Sequence, residues 1–156
     1  MRLEKKCSAW RWPLPKRVKA EYFSVASPID LLRVVEWCKS RGYHGGAVEF
    51  MAYCGCRPCD VAGLTRDRLF LDAEQPHAFI RQFKTGQPTY IALAPSAVAA
   101  VRRALARSTC NYVFARGGKT LTALAIQQEI RRASVALGLT VSAKSFRRAV
   151  VAYLQK

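Results

Sequence analysis

The amino-acid sequence predicts an α+β domain that is mostly α-helical, with one small antiparallel sheet on one edge. Apolar residues recur at helical spacing in several segments bounded by capping residues, proline and glycine. Two β-rich runs, 77–83 and 89–93, flank a turn that contains Gly86, as is typical of a hairpin. Hydrophobic residues make up 51% of the 156-residue chain, enough for a packed core.

The first helices are marked by their ends. Ser27 and Pro28 suit the cap and first position of a helix that Gly42 ends. A second helix is predicted from about Ala47 to Tyr53, stopping at Gly55. The full prediction is helices over 28–41, 47–53 and 57–64, strands over 69–71, 77–83 and 89–93, an Ala-rich helix with a basic face over 94–107, a short buried segment over 111–114, and helices over 124–137 and from 142 to the end.

The charge indicates a polyanionic partner. Lys and Arg number 26 against 10 Asp and Glu, giving a formal charge of +16 and a pI near 10.2. Nucleic acid is the leading candidate, ahead of an acidic protein, anionic lipid or the ribosome. There is no apolar run of about 18 residues and no signal-peptide pattern, so we expect no membrane partner. The expected location is intracellular, with DNA: the cytoplasm or nucleoid in a bacterium or phage, the nucleus in a eukaryote.

Six cysteines raise the question of a metal site. Cys54, Cys56 and Cys59 are crowded, but no second CxxC pair exists and His44 and His77 lie at no recognisable ligand spacing. We therefore expect small apolar core residues, no metal and no cofactor.

The first 24 residues are predicted to form a basic arm or linker ahead of a domain over 25–156. This stretch contains Pro13 and Pro15, with Trp10 and Trp12 among basic residues. Two interpretations are equally consistent with the tryptophans: the arm follows a DNA backbone, or the tryptophans pack on the domain.

Two short motifs place cations where a phosphate can bind. Arg57 follows a helix-ending glycine and opens the next helix, where backbone N–H groups and a bidentate guanidinium suit an anion. Asp60, one turn later, is placed to orient that guanidinium or to cap the helix; the alternative is a solvated ion pair of small energetic value. Lys144 and Arg147 are three residues apart and share a helix face. A generic basic amphipathic helix explains that pair as well.

Taken in order, three segments resemble the active-site boxes of the tyrosine recombinase (phage integrase) family: 55–64, Lys84-Thr85-Gly86 and 144–148. The third box is also similar to type IB topoisomerases. The resemblance covers about residues 27–156 and implies a recombinase catalytic-core-like fold that breaks and rejoins DNA without a metal.

The resemblance also implies roles for individual residues. Arg57 and Arg147 would hold the non-bridging oxygens of the scissile phosphodiester, and a tyrosine would attack the phosphorus. Lys84 would enter the minor groove and protonate the leaving 5′ oxygen, although lysine at a turn is also common for solubility alone. The further candidate DNA contacts are Thr85, Arg148 and Lys119.

Lys144 departs from the family pattern, since most recombinases place histidine there. The change replaces a group that titrates near neutral pH with a fixed cation, so a general base is not expected at this position. Type IB topoisomerases carry lysine here, so phosphate stabilisation survives the change.

We expect no nucleophile in this chain. The family continues roughly 30 residues beyond the second arginine box, and Tyr153 follows Arg147 too closely. Tyr53, Tyr90 and Tyr112 fall in predicted core segments. The chain reads as C-terminally incomplete: a fragment, a natural truncated or degenerate homologue, or one that receives the tyrosine from a partner in trans.

These observations leave two main functions. The first is a recombinase catalytic-domain core that binds duplex DNA, partners other recombinase protomers and does not cleave efficiently alone. The second is a non-catalytic DNA-binding or regulatory module on the same fold. A ribosomal or RNA-binding protein is a distant third.

Overall fold

The computed structural model describes residues 26–154, so the predicted arm and its tryptophans lie outside the described residues. The helices are α1 Pro28–Ser40, α2 Tyr43–Cys54, α3 Pro58–Ala62, α4 Pro95–Arg107, α5 Ala123–Ala136 and α6 Ala143–Leu154, with a 3-10 turn at Arg66–Arg68. The strands are β1 Leu69–Phe70, β2 His77–Arg81, β3 Pro88–Ala92, β4 Ala115–Arg116 and β5 Lys119–Thr120. The predicted mostly helical α+β class is confirmed.

The sheet is antiparallel in the order β1-β2-β3, with Ala78 opposite Leu69 on one side and opposite Ile91 on the other. Ala78 and Ile80 are buried, so one face of β2 packs on the core. A separate hairpin pairs β4 with β5 across the turn at residues 117–118. The sequence analysis did not predict these two short strands.

The start of α1 matches its prediction. Ser27 Oγ accepts a hydrogen bond from the Asp30 N–H at 3.1 Å, and Pro28 takes the first helical position. The cap satisfies a backbone donor that would otherwise lack a partner within the helix.

Helix α2 is the centre of the core and begins four residues earlier than predicted. Five consecutive residues, 47–51, are buried, which is typical of a helix covered on all sides; α1, α4, α5 and α6 all pack against it. Gly45 lies in its first turns because α1 approaches closely. A Cβ atom at this position would lie 2.5 Å from the Lys39 Cα atom. Helix packing therefore requires glycine at this position.

Two buried carboxylates bind arginine and lysine side chains, some from other helices and one from the same helix. Glu49 on α2 accepts two hydrogen bonds from Arg103 on α4, at 2.9 and 2.8 Å, and lies 3.4 Å from Lys39 Nζ on α1. Glu129 on α5 lies 3.3 Å from Arg132 and 3.8 Å from Arg41. Each carboxylate is nearly inaccessible to water but compensated in charge.

Arg66 ties the start of the 3-10 turn to the end of α4. Its guanidinium donates to the carbonyl oxygens of Leu105, Ser108 and Cys110, at 3.0, 2.6 and 3.0 Å. A cation at the C-terminal end of a helix satisfies carbonyls that lack intrahelical partners.

The cysteines match their prediction only in part. Cys38 and Cys56 are buried, as expected of apolar core residues, while Cys54, Cys59 and Cys110 are half-buried. Within residues 26–154, no group of His, Cys, Asp or Glu side chains is arranged to hold a metal ion. No helix in this described range is long and apolar enough to cross a membrane.

The prediction that Tyr53, Tyr90 and Tyr112 are core residues is wrong, since they are 39%, 69% and 38% exposed. Tyr53 lies near the end of α2, Tyr90 on the sheet and Tyr112 in a loop. At such positions an aromatic ring packs against the protein on one side only. The side chain of Tyr153 lies outside the described part of the structure.

Candidate functional site

Arg57 stands at the junction between α2 and α3. Gly55 adopts a left-handed conformation (φ +63°) and its N–H bonds to the Met51 carbonyl at 2.9 Å, which ends α2. Arg57 is then extended, and Pro58 opens α3. The Arg57 side chain is 30% exposed, so its guanidinium is held by the protein and still reaches solvent.

Asp60 links α3 to the β2–β3 hairpin. Its Oδ1 accepts a hydrogen bond from the Phe83 backbone N–H at 2.9 Å, and its Oδ2 lies 3.9 Å from Arg57 Nη1. Its side chain is only 4% exposed. The alternative of a solvated Arg–Asp pair is therefore wrong: Asp60 is a buried group whose closest polar contact is to the main chain of the hairpin.

Gln82 completes this connection, and the sequence did not single it out. Its Oε1 accepts hydrogen bonds from Arg57 Nη1 and from Thr85 Oγ1, both at 3.2 Å. Its Nε2 donates to Thr89 Oγ1 at 3.0 Å. Gln82 thus joins Arg57 to both arms of the hairpin. Its only sequence signal is its position just before the Lys-Thr-Gly turn.

Lys84 lies in the tight loop of this hairpin. The Gly86 N–H bonds to the Gln82 carbonyl at 2.7 Å, and the Gln82 N–H to the Gln87 carbonyl at 2.9 Å. Gly86 has φ +68°, a conformation that favours glycine. Lys84 is exposed, and the backbone that carries it is fixed to Arg57 through Gln82 and Asp60.

Helix α6 presents its basic residues outward and packs its apolar residues inward. Phe146 is 1% exposed, whereas Lys144 and Arg147 are exposed. A Cβ atom added to Gly55 would lie 3.1 Å from Val150 Cβ, so α6 runs directly beside the end of α2. The predicted division of this helix into a core face and a basic face is confirmed.

The thiol of Cys56, at the same junction, is influenced by the positive charge of Arg147. The pKa of Cys56 is raised by hydrogen bonding with Cys54, by burial, and by the negative charges of Cys54 and Asp60, while the positive charge of Arg147 lowers it. Cys56 immediately precedes Arg57 in the chain. Arg147 lies three residues before Val150 on α6, the helix that contacts Gly55 at this end of α2.

The remaining predicted residues lie in different places. Thr85 belongs to the Gln82 network. Arg148 is half-buried on α6, one residue after Arg147. Lys119 lies on β5, where Thr120 Oγ1 donates to the Ala62 carbonyl at 2.5 Å. Lys119 is therefore next to the C-terminal end of α3, at the opposite end of this helix from Arg57.

One part of the predicted chemistry needs correction. Helix α3 has five residues, and the Asp60 and Val61 N–H groups both bond to the Arg57 carbonyl, at 3.0 and 3.1 Å. So short a helix contributes little dipole and few free N–H groups to an anion. The side chain of Arg57, rather than the helix terminus, is the group available to a phosphate.

Comparison with known proteins agrees with the motifs. The model of the phage integrase family matches residues 30–156. The chain belongs to the phage integrase family. A search of curated protein sequences finds no match.

Several solved structures share the fold of this protein. XerA recombinase superposes with a TM-score of 0.66 at 19% identity, over 79% of this chain and 47% of XerA. The lambda integrase catalytic core gives a TM-score of 0.66 at 16% identity, over 78% of this chain and 77% of that core. XerH recombinase bound to its difH substrate gives 0.66 at 14% identity, over 83% and 43%. The chain spans about half the length of XerA and XerH. The expected recombinase catalytic-core fold is confirmed.

Proposed function

We propose that this domain binds duplex DNA and grips one backbone phosphate with Arg57, Arg147, Lys84 and Lys144. The observation that carries the proposal is the hydrogen-bonded connection from Arg57 through Gln82 to the Lys84 hairpin. Such a connection fixes residues 27 positions apart relative to each other before any ligand binds. A phosphate site gains affinity from cations held in place in advance.

Charge and fold support DNA as the ligand. The formal charge of +16 favours binding to a polyanion. Lambda integrase and XerH, which share the fold, have been solved bound to DNA. We place this protein, by the same reasoning, with DNA inside the cell.

The chemistry that these residues suit is transesterification of a phosphodiester. Arg57 and Arg147 would neutralise the charge that develops on the non-bridging oxygens as the phosphorus becomes five-coordinate. Lys84 is a flexible ammonium that can reach and protonate the departing 5′ oxygen. Lys144 would add a fixed positive charge, and Asp60 and Gln82 would hold the other groups in position.

The attacking tyrosine hydroxyl would come from outside the described elements, either from a further segment or from another recombinase protomer. Its attack on phosphorus would form a phosphotyrosyl bond as the phenolic proton passes to solvent. The bond from phosphorus to the 5′ oxygen breaks, and that oxygen takes a proton from Lys84. The covalent bond conserves the energy of the phosphodiester, so rejoining is the reverse of the same step.

Binding by three single variants tests the phosphate site. Arg57→Ala and Arg147→Ala are expected to weaken binding to a duplex recombination site by about tenfold or more, as charge-assisted contacts are worth about 1.5–3 kcal/mol each. The control is Arg102→Ala, which removes an exposed arginine that pairs with Asp72. If all three variants lose the same affinity at one salt concentration, the cations do not form a shared site.

A non-catalytic regulatory module is the second candidate function, favoured by lysine at position 144. A suicide DNA substrate distinguishes the two. The chain is incubated with this DNA alone and with an added C-terminal segment that carries a tyrosine. Covalent protein–DNA adducts in the complemented mixture support catalysis. Tight binding with no adduct in either mixture supports the regulatory module.

A further inference from the structure

The outer face of the β1-β2-β3 sheet carries four aromatic rings in a continuous row. Phe70 stacks on His77 with ring centroids 4.7 Å apart, His77 meets the edge of Tyr90 at 5.9 Å, and Tyr90 meets Phe79 at 5.2 Å. The register explains this row, because Phe70 is opposite His77 and Tyr90 is opposite Phe79. We call these four residues the aromatic row.

The aromatic row faces solvent. Tyr90 is 69% exposed and Phe70 is 44% exposed. The alternate residues Ala78 and Ile80 are buried, so the core is complete without the aromatic row. A contiguous exposed aromatic surface of this kind marks a binding site more often than a single exposed side chain does.

Positive charge lies at one end of the aromatic row. Arg81 follows Phe79 by two positions on β2 and so projects from the same face; it is exposed, with Nε bonded to the Gly86 carbonyl at 3.2 Å. Lys84 lies beyond it in the hairpin loop. At the other end, Asp72 is paired with Arg102 at 2.9 Å, which offsets its charge. The surface therefore combines base-sized rings with cations, and the protein as a whole repels copies of itself.

We propose that the aromatic row binds a single-stranded DNA segment by stacking unpaired bases on its rings, with Arg81 on the adjoining phosphate. Aromatic side chains stack on bases of any sequence, and neighbouring cations follow the backbone. Duplex DNA does not fit this surface in the same way, because base pairing and stacking hide the faces of its bases. This site adjoins the phosphate site at the Lys84 hairpin, but its four rings are not part of that site, and the proposal does not depend on the proposed catalytic role.

Fluorescence anisotropy with two labelled ligands tests the proposal. The ligands are a 15-nucleotide oligo(dT) and a duplex of equal length, measured with the full chain and with Tyr90→Leu and Tyr90→Phe. Tyr90→Leu is expected to weaken oligo(dT) binding about 5- to 150-fold, as one lost base stack is worth about 1–3 kcal/mol. It should leave duplex binding within about twofold. Tyr90→Phe keeps the ring and should keep the affinity.

Tyr112→Leu is the matched control, because Tyr112 is a partly exposed tyrosine outside the sheet. Thermal unfolding of each variant confirms that it folds. Stacking is uncharged, so the slope of log affinity against log salt should not change in Tyr90→Leu. Loss of oligo(dT) and duplex binding to the same extent overturns the proposal, as does unchanged oligo(dT) binding. A change only in the oligomeric state of Tyr90→Leu shows instead that the row contacts protein, which also overturns it.

Discussion

Asp60 holds the Lys84 hairpin by one hydrogen bond to the main chain of Phe83. In Asp60→Ala the Phe83 amide loses its acceptor, so its hydrogen exchange should become about tenfold faster, the value of one net hydrogen bond. Asp60→Asn keeps an oxygen in the same place and should keep most of the protection. Hydrogen exchange of the Phe83 amide, measured by NMR in the two variants, distinguishes the hydrogen bond of Asp60 from its negative charge.

The control for this comparison is Glu36→Ala, which removes an exposed carboxylate on α1. It should leave Phe83 exchange unchanged. Equal exchange rates at Phe83 in Asp60→Ala and the unmodified protein would mean that the hairpin is held in place by other contacts.

Cys38 should react slowly with alkylating reagents in the folded protein. Burial, followed by the negative charge of Glu129, raises the pKa of this thiol from 9.0 to about 12. Only the thiolate is a nucleophile, so at pH 8 the reactive fraction falls about a thousandfold. Mass spectrometry of the labelled peptide, with and without urea, measures the difference.

The same pKa shift predicts that the protein becomes less stable at alkaline pH. The pKa of Cys38 is higher in the folded state, so its contribution to stability is complete below about pH 9 and is lost as the pH rises towards 12. Rapid labelling of Cys38 at pH 8 without urea would contradict the buried, neutral thiol.

At the residue scale, the sequence analysis proposed the cations of the candidate site but did not identify the side chain that holds Arg57 in place. Arg57, Lys84 and Arg147 were found by their positions in three short motifs. Gln82 was not, because glutamine in a hairpin has no special backbone requirement and its role depends on a residue 25 positions earlier. Side-chain networks of this kind are set by tertiary packing.

Gly55 is the point where two helices and the Arg57 junction meet. It needs a positive φ of 63°, and an added Cβ would lie 3.1 Å from Val150 Cβ. Gly55→Ala should therefore lower the free energy of unfolding by about 1–3 kcal/mol, combining the backbone cost with crowding of α6. Urea denaturation measures the change.

Gly118→Ala separates the two costs, because Gly118 has φ +75° and no atom within 4 Å of an added Cβ. It should cost only the backbone part, about 1–2 kcal/mol. Val150→Ala combined with Gly55→Ala should show a non-additive recovery of the crowding part. Additive losses would mean that α6 does not press on Gly55.

At the element scale, the helices were predictable wherever capping and periodicity agreed. Ser27 and Pro28 fixed the start of α1, and Gly138 followed the end of α5 closely. The start of α2 was missed because Gly45 reads as a helix breaker when its contact with α1 is unknown. The β4–β5 hairpin was missed because strands of two residues carry no alternation to detect.

Glu49 joins three helices, and this makes it a test of the whole core. Glu49→Gln should lower the free energy of unfolding by about 1–2 kcal/mol, less than a fully buried pair costs because the Arg103 side chain is 53% exposed. A double-mutant cycle with Arg103→Gln should give a coupling of about 1 kcal/mol that decreases with salt. Zero coupling at low salt would show that Glu49 matters only for packing.

Arg66 shows that the basic residues within 26–154 are not all equally available to DNA. Its guanidinium is already engaged by three carbonyl oxygens at the end of α4. In chemical footprinting with an arginine-modifying reagent such as phenylglyoxal, the exposed Arg66 should react at a rate that does not change when DNA is added, because its donors are already engaged. Arginines that become protected only when DNA is added would then mark the footprint. Arg66 would be the internal reference, because its guanidinium is bound within the protein.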